Sequence, residues 1–268
     1  MSDGFSTATI TTDLTERRAI VTGGASGIGK AAAIAMAEAG AEVVVTDIDE
    51  AGGAAVAAEI GGSFAMLDVS EPVAWERVVT TAGPFDIAFL NARISTNHGL
   101  PVTDDNPITA LTDEAYRRIM SINLDGVVYG ARAVLPAMTE RGGGDIIATA
   151  SMAGLGPIGM DPIYGLTKHG VVGFVRSLAR YLESTPNSPD ICVSALCPGF
   201  TDTNIIGEGV RELIDAAGLE IMPTDHVARV VMRSLAERVQ GAQWVVWPEV
   251  EPHVYEWNPP IPAFPSDV

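Results

Sequence analysis

Short, almost continuous apolar runs alternate along the chain with longer segments in which small apolar residues recur at helical spacing. The runs 18–22, 42–46, 63–67, 85–90, 145–150, 191–196 and 243–247 have strand length, and most lack the polar alternation of a half-exposed strand. They read as strands covered on both faces. Between them the spacing predicts helices near 27–39, 50–60, 72–82, 112–141, 162–183 and 224–238. This βαβ rhythm predicts an α/β fold: one doubly wound, parallel, seven-stranded sheet with helices on both faces, over 17–248.

Four stretches break the rhythm. Residues 1–16, rich in Ser and Thr at the start, are expected to be a flexible N-terminal segment. Residues 95–110 read as a polar loop with Pro101 and Pro107. Segment 202–222 carries Ile206, Val210, Leu213 and Ile214 near helical spacing between glycines, as a mobile substrate lid would. Residues 249–268 hold five prolines with Tyr255, Trp257 and Phe264. That tail can form neither helix nor central strand and is expected to dock on the domain or on a neighbouring subunit.

Charge narrows the partners. Sixteen basic against 34 acidic residues give a net charge of −18, which repels phosphate backbones and anionic lipid, so neither nucleic acid nor membrane is expected. Cys192 and Cys197, five apart, would point to opposite faces of a strand and read as two buried free thiols in a reducing compartment. With no basic n-region before an apolar run at the N-terminus, the expectation is a soluble, cytoplasmic protein.

The first strand runs into Thr22-Gly23-Gly24-Ala25-Ser26-Gly27-Ile28-Gly29 and then an Ala-rich helix. Glycines 23, 27 and 29 allow the tight turn and close approach that a pyrophosphate needs at a helix N-terminus. Asp47 ends the next strand, 18 residues after Gly29, where a carboxylate can accept ribose hydroxyls and repel a 2′-phosphate. Asp49 lies close enough to compete for this role. No Arg or Lys falls between Ser26 and Lys30 or between Val43 and Asp49, so NAD is favoured over NADP. Tyr164 and Lys168, four apart, share one helix face, and an ammonium there would lower the phenol from its ordinary pKa near 10. Ser151, after a strand and 13 residues before Tyr164, places a hydroxyl beside the phenol. The scattered histidines have no partner at ligand spacing, so no metal is expected; His169, one step from Lys168, faces about 100° away from it.

Together with Asp68-Val69, Asn91-Ala92, Asn123, Tyr164-Gly-Leu-Thr-Lys168 and Pro198-Gly199, these pieces make the chain resemble the short-chain dehydrogenase/reductase family from about residue 17 to 238. The resemblance implies a Rossmann-type domain and an NAD-dependent oxidoreductase that interconverts a secondary alcohol and a ketone. It implies that Tyr164 exchanges a proton with the substrate oxygen, that Ser151 steadies that oxygen, and that Lys168 binds the nicotinamide ribose and acidifies the tyrosine. It further implies that Asn123 holds a water linking Lys168 to solvent. The glycine turn with Ser26 and Ile28 would hold the pyrophosphate, Asp68 and Val69 the adenine, and Asn91 the middle of the cleft. Pro198, Gly199, Thr201 and Thr203 would meet the nicotinamide carboxamide. A homodimer or homotetramer is implied on helices 112–141 and 162–183, with Val127, Val128, Val171 and Phe174 as candidate contacts. The pieces around Ser151, Tyr164 and Cys197 look nearest to 15-hydroxyprostaglandin dehydrogenases.

Two departures stand out. Where the family has Asn-Ala-Gly this chain has Asn91-Ala92-Arg93, and Arg93 could point outward, meet a cofactor phosphate, or enter the substrate pocket and favour an anion. The family's Asp-Gly-Gly after the last strand is missing from Trp244-Val-Val-Trp247-Pro248. Two other readings remain: a nucleotide-binding sensor or scaffold with little turnover, hinted at by Arg93, and an enoyl reductase, disfavoured by the Tyr-x-x-x-Lys spacing. Met152, Leu155, Ile158 and Met160 either line an apolar substrate wall or pack in the core.

Overall fold

The computed structural model describes residues 12–96 and 106–257; residues 1–11, part of the expected 95–110 loop, and 258–268 of the tail lie outside them. Seven parallel strands form where the apolar runs fall: β1 (Arg18–Thr22), β2 (Glu42–Asp47), β3 (Ser63–Met66), β4 (Ile87–Leu90), β5 (Gly143–Thr149), β6 (Asp190–Pro198) and β7 (Gln243–Trp247). An eighth, β8 (Val250–Val254), pairs antiparallel with β7, so the sheet has eight strands in the order β3-β2-β1-β4-β5-β6-β7-β8, not seven. Pro252 cannot donate to a ladder, but an edge strand leaves one side unpaired and tolerates it.

Both sheet faces are covered. Helices α1 (Gly27–Glu38), α2 (Glu50–Glu59) and α8 (Thr224–Glu237) bury Met36, Val56 and Val231 with Val21, Val45 and Trp244. On the other face, α3 (Pro72–Ala82), α5 (Gly126–Arg141) and α6 (Pro162–Ser184) bury Trp75, Val134 and Val175 with Ile20, Ile146 and Val193. The expected helix 112–141 is interrupted: α4 (Asp113–Met120) leads through a π-helical turn at Ser121–Asp125 into α5. The lid segment carries the short helix α7 (Glu208–Ala216).

Three details revise the sequence reading. Residues 12–16 are not all free: Leu14 is fully buried and donates its N–H to the Ala39 carbonyl, so the core begins before Arg17. Val127 and Val171, proposed as partner contacts, are core residues of this chain, whereas Phe174 is only partly buried. The described part of the tail docks on its own domain: Trp257 donates to Gln243 Oε1 at 2.6 Å and its ring lies 4.1 Å from the Arg176 guanidinium on α6. Cys192 and Cys197 are free and buried, and burial pushes both thiols up to about 12. No helix among the described residues is long and apolar enough to cross a membrane.

The amino ends of the central strands are fastened by ions. Buried Asp145 bridges Arg17 at 2.5 Å and Arg238 at 2.8 Å, and Arg238 also holds Asp190 at 2.6 Å. Because both arginines keep about a third of their side chains in water, their loss of a partner is softened. We expect Asp145→Ala to lower unfolding stability by about 1–3 kcal/mol in chemical denaturation. A change below about 0.5 kcal/mol would show that the network is ornamental to stability.

Candidate active site

All seven parallel strands deliver their carboxyl ends to one edge, and the chain order reverses between β1 and β4. A crevice opens outside such an edge at the reversal. The glycine turn lies there: Gly23 and Gly27 adopt φ of +65° and +55°, and a Cβ on Gly29 would collide with the Gly23 carbonyl. α1 begins at Ser26 with no side-chain cap and no acidic residue in its first turn, leaving its N-terminal amides and positive end for an anion. Ile28 points into the core, so only its backbone is available.

Asp47 Oδ2 accepts the Ala25 N–H at 3.0 Å and its Oδ1 accepts the Asp49 N–H at 3.0 Å. The carboxylate is therefore fixed against the glycine turn with lone pairs to spare. Asp49 is occupied elsewhere, as the N-cap of α2 on Gly52 N at 3.0 Å. Asp68 is exposed and accepts from both the amide and the hydroxyl of Ser70; Val69 is buried and packs on Gly126. Thr203 stands against Gly27, while Thr201 is buried with its hydroxyl on the Gly199 carbonyl. Pro198 ends β6, and the Trp247 ring leaves Gly199 no room for a side chain.

A cavity of about 1170 Å³ extends from this edge under the lid. Ser151, Tyr164, Arg93, Trp247, Thr203 and the lid residues Ile206, Val210 and Leu213 line it, as do Met152, Ile158 and Met160; Leu155 packs into the core instead. Ser151 caps a single 3₁₀ turn, accepting the Ala153 N–H at 3.2 Å. Asp161 caps α6 on Tyr164 N at 2.9 Å, just ahead of Pro162 at the first helical position, and so aims the first turn that carries the phenol.

Tyr164 feels Ser151 and Arg93 directly. Burial raises its pKa above the ordinary value; the Arg93 charge and a hydrogen bond from Ser151 oppose that rise, and Asp161 adds to it. Lys168 lies on the same side of α6 as Tyr164. Its fully buried Nζ donates to the Thr149 carbonyl at 2.8 Å and lies 5.5 Å from the Tyr164 ring centroid, over the ring's face. Burial pulls this ammonium well below its usual range and Arg93 pushes it further down. Arg93, bonded to Asn91 and lining the cavity, is turned inward and not outward, and its charge favours the phenolate.

Asn123 is fully buried in the π-helical turn. Its amide brackets Ile94, accepting the N–H and donating to the carbonyl, both at 2.8 Å, and donates to Thr167 Oγ1 at 3.2 Å. It thus steadies the loop that bears Arg93. Asn91 donates to the Thr22 carbonyl at 3.1 Å and accepts from Thr149 Oγ1 at 3.1 Å and Arg93 Nη1 at 3.0 Å. Sequence reasoning missed Thr149 and Asp161. Asp before Pro at a helix start is a legible cap signal, but nothing marks Thr149 locally. His169 is exposed, with Nδ1 on the Gly165 carbonyl at 2.9 Å.

We expect Tyr164 to ionise above the ordinary tyrosine range in the ligand-free protein. Removing a positive neighbour disfavours the phenolate, so Arg93→Leu should move that ionisation still higher. Tyrosinate absorbance compared between each protein and its Tyr164→Phe counterpart isolates this titration; a downward move in Arg93→Leu would refute the assignment.

Comparison with known proteins agrees with this geometry. The family described as short chain dehydrogenase matches residues 17–213. The chain is 36% identical over 204 residues to a 2-keto-3-deoxy-L-fuconate dehydrogenase of Xanthomonas campestris pv. campestris, covering 75% of this chain and 64% of that one. It is 36% identical to a 3beta-hydroxysteroid dehydrogenase 2 of Eggerthella lenta, over 74% of this chain and 76% of the relative. A cyclohexanol dehydrogenase of Acinetobacter sp. is 34% identical over 85% of this chain and 92% of its own length. Among solved structures, one described as ribose-5-phosphate isomerase from Brucella melitensis 16M superposes with a TM-score of 0.75 at 28% identity, covering 88% of this chain and 93% of that one.

Proposed function

Because the chain belongs to the short-chain dehydrogenase family, we propose that it is an NAD-dependent oxidoreductase that interconverts a secondary alcohol and a ketone. The observation that carries this reading is the meeting of Ser151 and Tyr164 in one lid-covered cavity, at the carboxyl ends of the strands. When bound, NAD supplies the hydride acceptor. The glycine turn and the uncapped start of α1 suit its pyrophosphate, and Asp47 suits its adenosine ribose. Lys30, the nearest cation along the turn, is paired with Glu59 at 2.9 Å, which supports NAD over NADP.

The protein's own groups then divide the work. Tyr164 takes the hydroxyl proton during oxidation and returns it during reduction, while Ser151 hydrogen-bonds the substrate oxygen. Lys168 is in reach of the nicotinamide ribose once its bond to Thr149 is shared. Asn123 serves the proton path to solvent through its turn of helix. Asn91 with Asp68 and Val69 flanks the adenosine side, and Pro198, Gly199, Thr201 and Thr203 flank the nicotinamide side.

The names of the relatives span a keto acid, a steroid and a cyclic alcohol, so the substrate class rests on this chain's own cavity. Kinship to 15-hydroxyprostaglandin dehydrogenases is supported only by the pieces around Ser151 and Tyr164. A homodimer or homotetramer agrees with the family, and a cytoplasmic location agrees with two buried free thiols. A second reading, a nucleotide-binding sensor with little turnover, draws on the Arg93 guanidinium beside the phenol.

Tyr164→Phe should retain nucleotide binding, followed by NADH fluorescence, yet lose at least about 10³-fold in kcat for alcohol oxidation. Undiminished turnover would remove Tyr164 from the reaction. Asp47→Ala should lower the NAD-to-NADP ratio of kcat/KM by about tenfold or more, equivalent to about 1.4 kcal/mol; an unchanged ratio would transfer cofactor choice to other residues.

A further inference from the structure

We propose that Arg93 is a carboxylate anchor and that the substrate of this cleft is a hydroxy acid, or the oxo acid formed from it, with its acid group one or two carbons from the carbinol carbon. The inference rests on the dehydrogenase reading above and adds the substrate class to it.

A guanidinium has five N–H donors in a planar fork. Here Nη1 donates to Asn91 Oδ1 at 3.0 Å, which leaves donors over. Among the described residues no carboxylate stands within ion-pair distance of Arg93, although most of the chain's other arginines have one. The other charged residue lining the cavity, Asp161, is committed: its oxygens accept Thr96 N at 3.0 Å, Thr96 Oγ1 at 2.6 Å and Tyr164 N at 2.9 Å. Among the described residues Arg93 is therefore a partly buried cation without a counter-ion, lining a cavity that the apolar lid residues Ile206, Val210 and Leu213 also line. Such a charge is costly until an anion meets it.

The cavity also decides which anion. Ser151, Tyr164 and the lid line it together with Arg93, so the guanidinium is open to a substrate held by the serine and the phenol. Arg93 and Tyr164 line the same cavity, and the charge of the one acts on the ionisation of the other, so an oxygen that exchanges a proton with Tyr164 and an acid group that pairs with Arg93 belong one or two carbons apart. A carboxylate is planar and bidentate and matches the guanidinium fork. It takes no part in the chemistry; it orients the carbinol.

The test uses matched pairs: 2-hydroxybutyrate and 3-hydroxybutyrate against their methyl esters with NAD, and 2-oxobutyrate and acetoacetate against theirs with NADH. Wild-type protein should favour each acid over its ester by about 100-fold in kcat/KM. In Arg93→Leu that ratio should fall to about one, and Arg93→Lys should restore part of it, since a point charge lacks the fork. Calorimetric binding of the two oxo acids to the NADH complex is read in parallel. Esters or neutral cyclic alcohols turned over as well as the acids, an acid-to-ester ratio unmoved by Arg93→Leu, or no binding of either oxo acid would each overturn the anchor. Oxo acids that bind through Arg93 without any turnover would uphold the anchor and count against the dehydrogenase reading instead.

Discussion

One side-chain amide, that of Asn91, holds the site together. Its nitrogen reaches the carbonyl at the end of β1, and its oxygen accepts from Thr149 at the end of β5 and from the Arg93 guanidinium. Three strand ends are thereby fixed relative to one another where a parallel sheet would otherwise stop with unpaired backbone groups. The Thr149 whose hydroxyl Asn91 receives also supplies the carbonyl that takes Lys168. The groups around Tyr164 thus inherit their geometry from a junction two residues before Arg93.

The electrostatics around the phenol follow from where that junction points the cations. Lys168, four residues along the helix, lies above the ring face and donates to a backbone carbonyl; Arg93, from the loop after β4, brings the charge that favours the phenolate. Lys168 alone would leave the phenol under the sway of burial and Asp161. The apolar lid and Met152 strengthen whatever charge interactions remain by keeping water scarce. The cleft therefore couples three ionisable side chains in a small volume, and a charge gained by one changes the others.

The strands were legible because they are buried on both faces: β6 sends Val193, Ala195 and Cys197 to one side and Leu196 to the other, and the sequence shows an unbroken apolar run. The positions of the glycine turn, Asp47, Ser151 and Tyr164 at the carboxyl edge were legible because they depend on local spacing. The break at Ser121–Asp125 was not, since no Gly or Pro announces a π-helical turn there; what marks it is Asn123 reaching the distant Ile94. The aim of Lys168 and the inward turn of Arg93 were hidden for the same reason, because both are set by acceptors, Thr149 O and Asn91 Oδ1, that come close only after the sheet is formed. Leu14 escaped because one apolar residue carries no periodicity.

The last strand has a consequence for how copies of this protein can meet. A parallel sheet ends in rows of open amides and carbonyls that invite another chain to join. At one margin stands β3, only four residues long. At the other, β8 presents an imino acid between Glu251 and His253 and a register slip opposite Val245 and Trp247. Neither margin among the described residues offers a long, unbroken row of donors and acceptors, which disfavours self-association through sheet extension.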